Sequence, residues 1–496
     1  MSLDHEEDMI DRLSRAQSPI DDKKPTKEEQ ALLDLQTEKQ QLIINQNKQF
    51  LEELFKDSST QPIKIKNVQI TNSGDFRDTF LQSQFQPLLK TTRPITLQHL
   101  LKSIESISKS FIKLNLVENL LVSVNQIQSP RSFFKSDNGT SLNIVPIFNI
   151  IPVKKFSAKT GTNIGNGEGD GYIQFQFRNL FGGAENLSFD ATTGTKTKSS
   201  YLLNYNMPVF NNSNYINENL FYINTRKLEH IQSEVTTQGF SNKIFTQYDN
   251  TNFNHEFILE NFWKVLQNKG SKSMTILNQS GSSFKSSVIY NLIYDSRDNS
   301  HLPSIGRYFR FGLEYSGLFK INKYPFIKSI VESQLTYPIP NLPSSIIFTN
   351  KAGIIYPLGQ KPQTSVLDRF FIGGPNDVRS FTLNGLGPRD HNSSIGGDIF
   401  FTGGVSLISK IPGVSQESNF KLHNFINYGR LVSINKTDLS TSFKKLLGQY
   451  SVSFGFGLLY NHPMARFELN FVLPITANKS DSLRKGIQYG IGVTFL

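Results

Sequence analysis

Between Tyr450 and Tyr460 every second residue is large and apolar. Tyr450, Val452, Phe454, Phe456, Leu458 and Tyr460 fall on one face; Ser451, Ser453, Gly455 and Gly457 fall on the other. A period of two marks a β-strand, because successive side chains point to opposite sides of the sheet. The pattern recurs. Phe467, Leu469, Phe471 and Leu473 oppose Arg466, Glu468 and Asn470, and Phe309, Phe311, Leu313 and Tyr315 oppose Arg310, Gly312, Glu314 and Ser316. Every segment from Val153 to the C-terminus is strand-like. A soluble sandwich also alternates and buries its oily face. Strands of about ten residues, however, match a bilayer crossing at ~45° tilt.

Sixteen strands are predicted, starting near Val153, Gly171, Glu185, Ser199, Glu218, Ser233, Phe253, Ser283, Gly306, Phe326, Ser344, Asp398, Asn419, Gln449, Ala465 and Gly486. Eleven precede a long polar connection, from about Leu358 to about Gly397, and five follow it. An even number suits a closed antiparallel membrane barrel. No run approaches the ~18 apolar residues of a membrane helix; the longest, around Val145 to Val153, is interrupted by Asn149 and two prolines. A barrel escapes that test, since only alternate residues face lipid. The 40 phenylalanines and 17 tyrosines beside one tryptophan suit a membrane barrel and a soluble β protein alike.

Ahead of the strands the pattern changes twice. Residues 1 to about 24 are charged and poor in large apolar groups, the composition of a disordered segment. Thr26 and Glu29 form a capping box for a helix predicted to run to Phe55. From Gln61 to Pro152 the order reads β-α-α-β-β: Ile63, Ile65, Val68 and Ile70 in a strand, helices over Asp75–Leu89 and Thr96–Leu116, then strands at Leu120–Val124 and Leu142–Val153. The second helix carries Leu97, Leu100, Leu101, Ile104, Ile107, Phe111 and Leu114 at helical spacing. About 90 residues can hold a core of their own.

The connection between Leu358 and Gly397 is exceptional, because long irregular connections in a compact fold are uncommon and usually functional or disordered. Phe370, Phe371, Ile372, Val378, Phe381 and Leu383 surround Arg379. These groups predict a loop folded into the barrel, with Arg379 facing a partner there. Gly373 to Phe381 resembles the loop-six signature, Val/Ile-Arg-Gly-Phe/Tyr, of the outer-membrane assembly superfamily that joins POTRA domains to a β-barrel. Continued through Gly385-Leu386-Gly387-Pro388, it resembles the mitochondrial branch, the central barrel subunit of the sorting and assembly machinery (the SAM/TOB complex). The motif here is Val378, Arg379, Ser380 and Phe381. Ser380 replaces the family's glycine, at a place where glycine serves a positive φ or a close backbone approach. The family pairs this arginine with an inward Phe-x-Asp-x-Gly strand, matched by Phe425, Asn427 and Gly429. Asn427 in place of Asp implies a neutral acceptor rather than a salt bridge, and a weaker contact.

The resemblance, which covers roughly residues 60–496, implies a mainly β fold: a 16-stranded transmembrane β-barrel over residues 153–496 and one N-terminal α+β POTRA domain over 61–152; composition adds a disordered and helical extension over 1–60. It implies insertion and folding of β-barrel precursors in the mitochondrial outer membrane, with the POTRA domain in the intermembrane space. Implied partners are clients recognised through their C-terminal signal strand, accessory subunits on the cytosolic face, a second porin-like barrel and the lipid bilayer. The barrel would open where first and last strands meet. Lys155, Phe156, Ser157, Ala158 and Lys159 begin a polar first strand; Gln488, Gly490 and Gly492 lie in a glycine-rich last strand, and glycine weakens pairing and leaves register unlocked. Gln488-x-Gly490-x-x-Val493-x-Phe495 itself resembles the sorting signal of mitochondrial barrels. A polypeptide-translocating pore, a metabolite channel and a soluble β-sandwich are the alternatives.

Other chemistry finds little footing. Gly165 to Gly171 lacks the helix and Lys-Ser/Thr of a phosphate cradle and reads as a hairpin turn. No HExxH, GxSxG or Walker sequence is present, and the eight histidines are scattered. No catalytic residue, cofactor or metal site is therefore expected. Without cysteine there is no disulfide or thiolate site. Net charge is +11, but no basic helix, zinc spacing or aromatic RNA motif accompanies it, and no nucleic acid partner is expected. Met1 to Asp22 is acidic and lacks the apolar core of a secretory signal, which points to a eukaryotic protein delivered from the cytosol.

Overall fold

The computed structural model describes residues 59–91, 93–126, 142–165, 168–248, 251–319, 321–359, 363–414, 418–435, 438–462 and 466–492. The helix expected between Thr26 and Phe55, and the segment before it, lie outside these residues. The chain forms two compact units: one takes in the chain to Val68, Lys90–Glu105 and Val124–Pro146, the other Gln69–Leu89, Ser106–Ser123 and Ile147 onward.

The N-terminal region is α+β. In chain order it contains strands Pro62–Ile65 and Gln69–Thr71, helix α1 (Asp78–Leu89), a short strand Ile95–Thr96, helix α2 (Leu97–Lys113), and strands Val117–Gln126 and Leu142–Pro152. Both helices fall where the apolar spacing places them. The first predicted strand is broken in two, and Ile95–Thr96 is an extra pairing segment, set antiparallel to Pro62–Ile65. Within the first unit, Pro62–Ile65 also runs parallel to the start of Leu142–Pro152. Within the second, Phe76, Phe80, Phe85, Phe111 and Phe148 form a chain of ring contacts around α1 and the end of α2.

The remainder is a sixteen-stranded antiparallel sheet. Its strands are β1 (Phe156–Gly165), β2 (Glu168–Arg178), β3 (Asn186–Gly194), β4 (Thr197–Pro208), β5 (Tyr215–Leu228), β6 (Ser233–Thr246), β7 (Phe253–Asn268) and β8 (Gly281–Asp295). They continue as β9 (Gly306–Ser316), β10 (Phe326–Pro338), β11 (Ser344–Pro357), β12 (Ile399–Lys410), β13 (Phe420–Val432), β14 (Ser451–Asn461), β15 (Arg466–Thr476) and β16 (Gly486–Gly492). Each starts within a few residues of its predicted position, and each pairs with its neighbours in chain order. Eleven strands precede the long connection and five follow it.

Burial identifies the two faces. Phe454, Phe456, Leu458, Phe467, Leu469, Phe471 and Leu473 are exposed, while Ser451, Ser453, Arg466, Glu468 and Asn470 on the opposite faces are buried. Oil faces out and polar groups face in, the reverse of a water-soluble sandwich. That arrangement fits a wall whose outer solvent is lipid. No helix among the described residues is long and apolar enough to cross a membrane.

The connection between β11 and β12, loop six, folds into the lumen. Its Phe370, Ile372, Val378, Phe381 and Leu386 join Phe326, Ile355, Phe400 and Leu431 of the wall and rim in one buried apolar cluster. Val366 joins a second cluster with Ile231, Leu266 and Ile276. The connection thus carries apolar groups of its own into the buried clusters of the barrel.

Candidate functional site

Arg379 is fully buried. Its Nη2 and Nε donate to Oε2 of Glu468 at 2.8 and 3.2 Å, and its Nη1 donates to Oδ1 of Asn427 at 2.9 Å. The guanidinium carbon lies 4.5 Å from the centre of the Phe425 ring. A cation over an aromatic face gains from the ring quadrupole, more so when desolvated. Gly429 completes the strand motif by leaving space: a Cβ there would lie 2.7 Å from Cγ2 of Val378. Phe425, Asn427 and Gly429 thus act as stacking face, acceptor and clearance.

The expectation of a purely neutral partner is corrected. Asn427 accepts as predicted, but Glu468 on β15 supplies a carboxylate, so the contact is a salt bridge as well. Glu468 is itself shared. Asn470 Nδ2 donates to its Oε2 at 2.7 Å, Arg466 Nη2 bonds its Oε1, and His423 Nδ1 lies 3.8 Å away. Alternation had placed Arg466, Glu468 and Asn470 on the wet face; nothing in the sequence said which loop group would reach them.

Ser380 has φ +74°, the left-handed geometry that the family's glycine would take freely. Its N–H donates to Oε1 of Gln488 at 3.0 Å, and its carbonyl accepts from Arg484 N–H at 2.9 Å. The Gln488 amide donates back to the carbonyls of Phe381 and Arg484. Thr382 N–H donates to Ser482 O, Ser482 N–H to Gly385 O, and Asn376 Nδ2 to Ile491 O at 3.0 Å. The tip of loop six is therefore laced to β16 and to the turn before it. Gly490 and Gly492 pair in register with Glu468 and Arg466, leaving the inner face there to the buried charges. Val493 and Phe495 lie outside the described residues.

The first strand is held differently. Lys155 precedes β1, and its Nζ lies 2.6 Å from Oδ1 of Asp75. Phe156 packs on Phe175 and Phe177 of β2. Ala158 and Lys159, on opposite faces of β1, are both exposed. The ends of the sheet, β1 and β16, approach within 8 Å, yet among the described residues no hydrogen-bonded ladder joins them. The seam residues thus divide: Gln488 is engaged by loop six, while the side chains of Ala158 and Lys159 are exposed.

Among the loop groups, His230 and Asp368 depart strongly from ordinary titration. His230, in the turn between β5 and β6, is pushed down to about 4 by burial and then by Arg226. Its Nδ1 lies 3.2 Å from Nδ2 of Asn384 in loop six, and its ring packs edge-on against Phe371. Burial disfavours the Asp368 carboxylate, but Lys264, Lys285 and Lys328 outweigh that and hold it well below the usual carboxylate range.

Residues 179–495 match the Omp85 superfamily domain. The chain is 30% identical to the sorting assembly machinery 50 kDa subunit of Saccharomyces cerevisiae, over 89% of this chain and 96% of that one. It is 29% identical to a SAM50-like protein of Schizosaccharomyces pombe, over 90% and 94% of the two chains. Its fold is similar to BamA from Haemophilus ducreyi lacking POTRA domains 1–3, with a TM-score of 0.69 at 14% identity, covering 86% of this chain and 84% of that one. The chain belongs to the Omp85 superfamily, in its sorting-and-assembly (SAM50) branch.

Proposed function

We propose that this chain folds and inserts β-barrel precursors in the mitochondrial outer membrane, using the edge of β1 as a template. The observation that carries this reading is the asymmetric seam. β16 is tied to loop six from inside, whereas β1 exposes both faces beside it. A strand edge in hydrocarbon leaves backbone groups unmet, at several kcal/mol each. A client strand that supplies those bonds is strongly favoured there, with no nucleotide or nucleophile required. Growth proceeds by β-augmentation, the main chain giving affinity and alternate side chains giving register.

Loop six occupying the lumen weighs against a threading pore, the alternative reading. The N-terminal α+β region, residues 61–152, serves as the POTRA domain in the intermembrane space. Its strand edges suit transient pairing with an unfolded client. The rim bearing loop six then faces the cytosol and receives the accessory subunits of the complex, and a second porin-like barrel packs against the wall.

The chain has no cysteine, so single cysteines can be placed cleanly. Photoreactive probes at Lys155→Cys, Ser157→Cys and Ala158→Cys should trap the last strand of a client during insertion. A probe on the lipid face of β10, at Val331→Cys, should not. Equal trapping round the wall would reject the seam. A disulfide between Ala158→Cys and Tyr489→Cys, which both sit on the outer face, should stop insertion; unimpaired insertion by the stapled barrel would reject it as well.

A further inference from the structure

The root of loop six is held by a second buried ionic cluster that plays no part in the arginine site. Lys264 of β7 places Nζ 2.7 Å from Oδ1 of Asp368, and Lys285 of β8 places Nζ 3.4 Å from the same oxygen. Lys328 of β10 donates to the backbone carbonyl of Asp368 at 2.9 Å and sits 4.5 Å over the ring of Phe370. Lys285 also pairs with Glu314 of β9 at 2.5 Å. The carboxylate and its two closest lysines are each at most about one-eighth exposed.

Three lysines on an inward wall are costly unless paired. Glu314 meets one of them. Asp368, contributed by the loop, meets that same Lys285 and also Lys264, and offers its carbonyl to Lys328. The wall strands therefore carry a cationic socket that the loop completes. β7, which bears Lys264, and β15, which bears Glu468, stand eight strands apart in the sixteen-strand order. The loop thus grips one side of the barrel through Asp368 and the opposite side through Arg379.

We propose that Asp368 is a second anchor of loop six, a positioning residue that ties the loop root to the wall opposite the seam, so that the tip's hold on β16 is restrained at both ends. The loop works as a strut across the lumen. Its functional consequence rests on the seam reading above; its mechanical content does not.

The test is hydrogen exchange on the full chain in lipid nanodiscs, with client insertion followed in parallel. Asp368→Asn should speed exchange of residues 364–372 by at least about tenfold, as loss of a buried charge partner and local opening require. It should also speed exchange of residues 486–492 several-fold while β9 to β12 stay protected. Asp368→Glu, which keeps the carboxylate, should restore slow exchange at both places. Unchanged exchange at the root overturns the anchor. A loosened root with an unchanged last strand overturns the strut. If Asp368→Asn does not fold, the charge-matched pair Asp368→Asn with Lys264→Gln decides: a folded barrel with a fast root supports the anchor, and one with a root as slow as the unsubstituted protein overturns it. Faster exchange at 486–492 with undiminished insertion leaves the strut standing and counts against the seam reading, so the two failures are distinguishable.

Discussion

Glu468 carries more of the buried network than Arg379 does. Removing Arg379 leaves the carboxylate still paired with Arg466 and Asn470. Removing Glu468 takes the shared carboxylate from Arg379 and Arg466 at once, and breaking a buried pair on one side costs about 3–5 kcal/mol. Glu468→Ala should therefore lower the heat-unfolding midpoint of the detergent-solubilised barrel more than Arg379→Ala, a gap of at least about 1 kcal/mol. An equal or smaller loss would mean that the two arginines are charge-compensated elsewhere. Ser380 makes the opposite prediction. It holds φ +74°, and its buried Oγ has no hydrogen-bond partner among the described residues. Glycine relieves both costs and returns part of the gain through a freer unfolded chain. Ser380→Gly should raise the same midpoint, by about 1 kcal/mol; a lowered midpoint would show that the side chain is packed to advantage.

Loop six behaves as an element in its own right, and one of its contacts titrates. The Asn384 amide donates to His230 Nδ1, which requires the neutral ring. With its docked value at about 4 against an ordinary 6.5, His230 takes up a proton more readily once the loop lifts away. Docking is then fully supported above about pH 6.5 and loses that support as pH falls toward about 4. Exchange of residues 371–385 should quicken across that window, and His230→Phe, which keeps a ring against Phe371, should remove the dependence; an unaltered pH profile in that variant would place the sensitive group elsewhere. How much of this element could be read beforehand follows from what periodicity reports. A period of two reveals which face a residue takes, so the sixteen strands and the polar face holding Glu468 were legible, while the family resemblance marked Phe425, Asn427 and Gly429 as inward. It does not reveal which inward residues meet across a closed barrel. Glu468 lies 89 residues from Arg379, and Lys264 lies 104 from Asp368; both pairings exist only once the circuit of strands sets the azimuths. Gln488 was legible as a last-strand polar residue, but its capture by the loop was not, because that depends on the left-handed turn at Ser380.

At the scale of the whole molecule the seam divides two differently held bodies. On one side, β16 is hydrogen-bonded to loop six. On the other, β1 follows directly from residues bound to the helical part of the second unit: Val153 N–H donates to Leu116 O, and Lys155 pairs with Asp75. That helical part also grips the turns between neighbouring strands. Arg77 pairs with Glu185 at 2.7 Å, Gln84 Nε2 bonds Asn211 O, and Lys113 Nζ reaches Asn214 and the carbonyl of Gln247. If the barrel opens by parting β1 from β16, α1 and the end of α2 need not leave these turns, because all of them lie on the β1 side. A covalent link there should then be harmless. Ser110 Oγ and Ser213 Oγ lie 3.1 Å apart, close enough for paired cysteines to bond after a small shift. The Ser110→Cys/Ser213→Cys barrel, oxidised, should insert clients at nearly the unsubstituted rate, whereas the Ala158→Cys/Tyr489→Cys staple should stop insertion. Arrest by the 110–213 link would mean that the helices must swing off the wall during each cycle. Motion would then be centred on the N-terminal domain, with the seam opening only as a consequence.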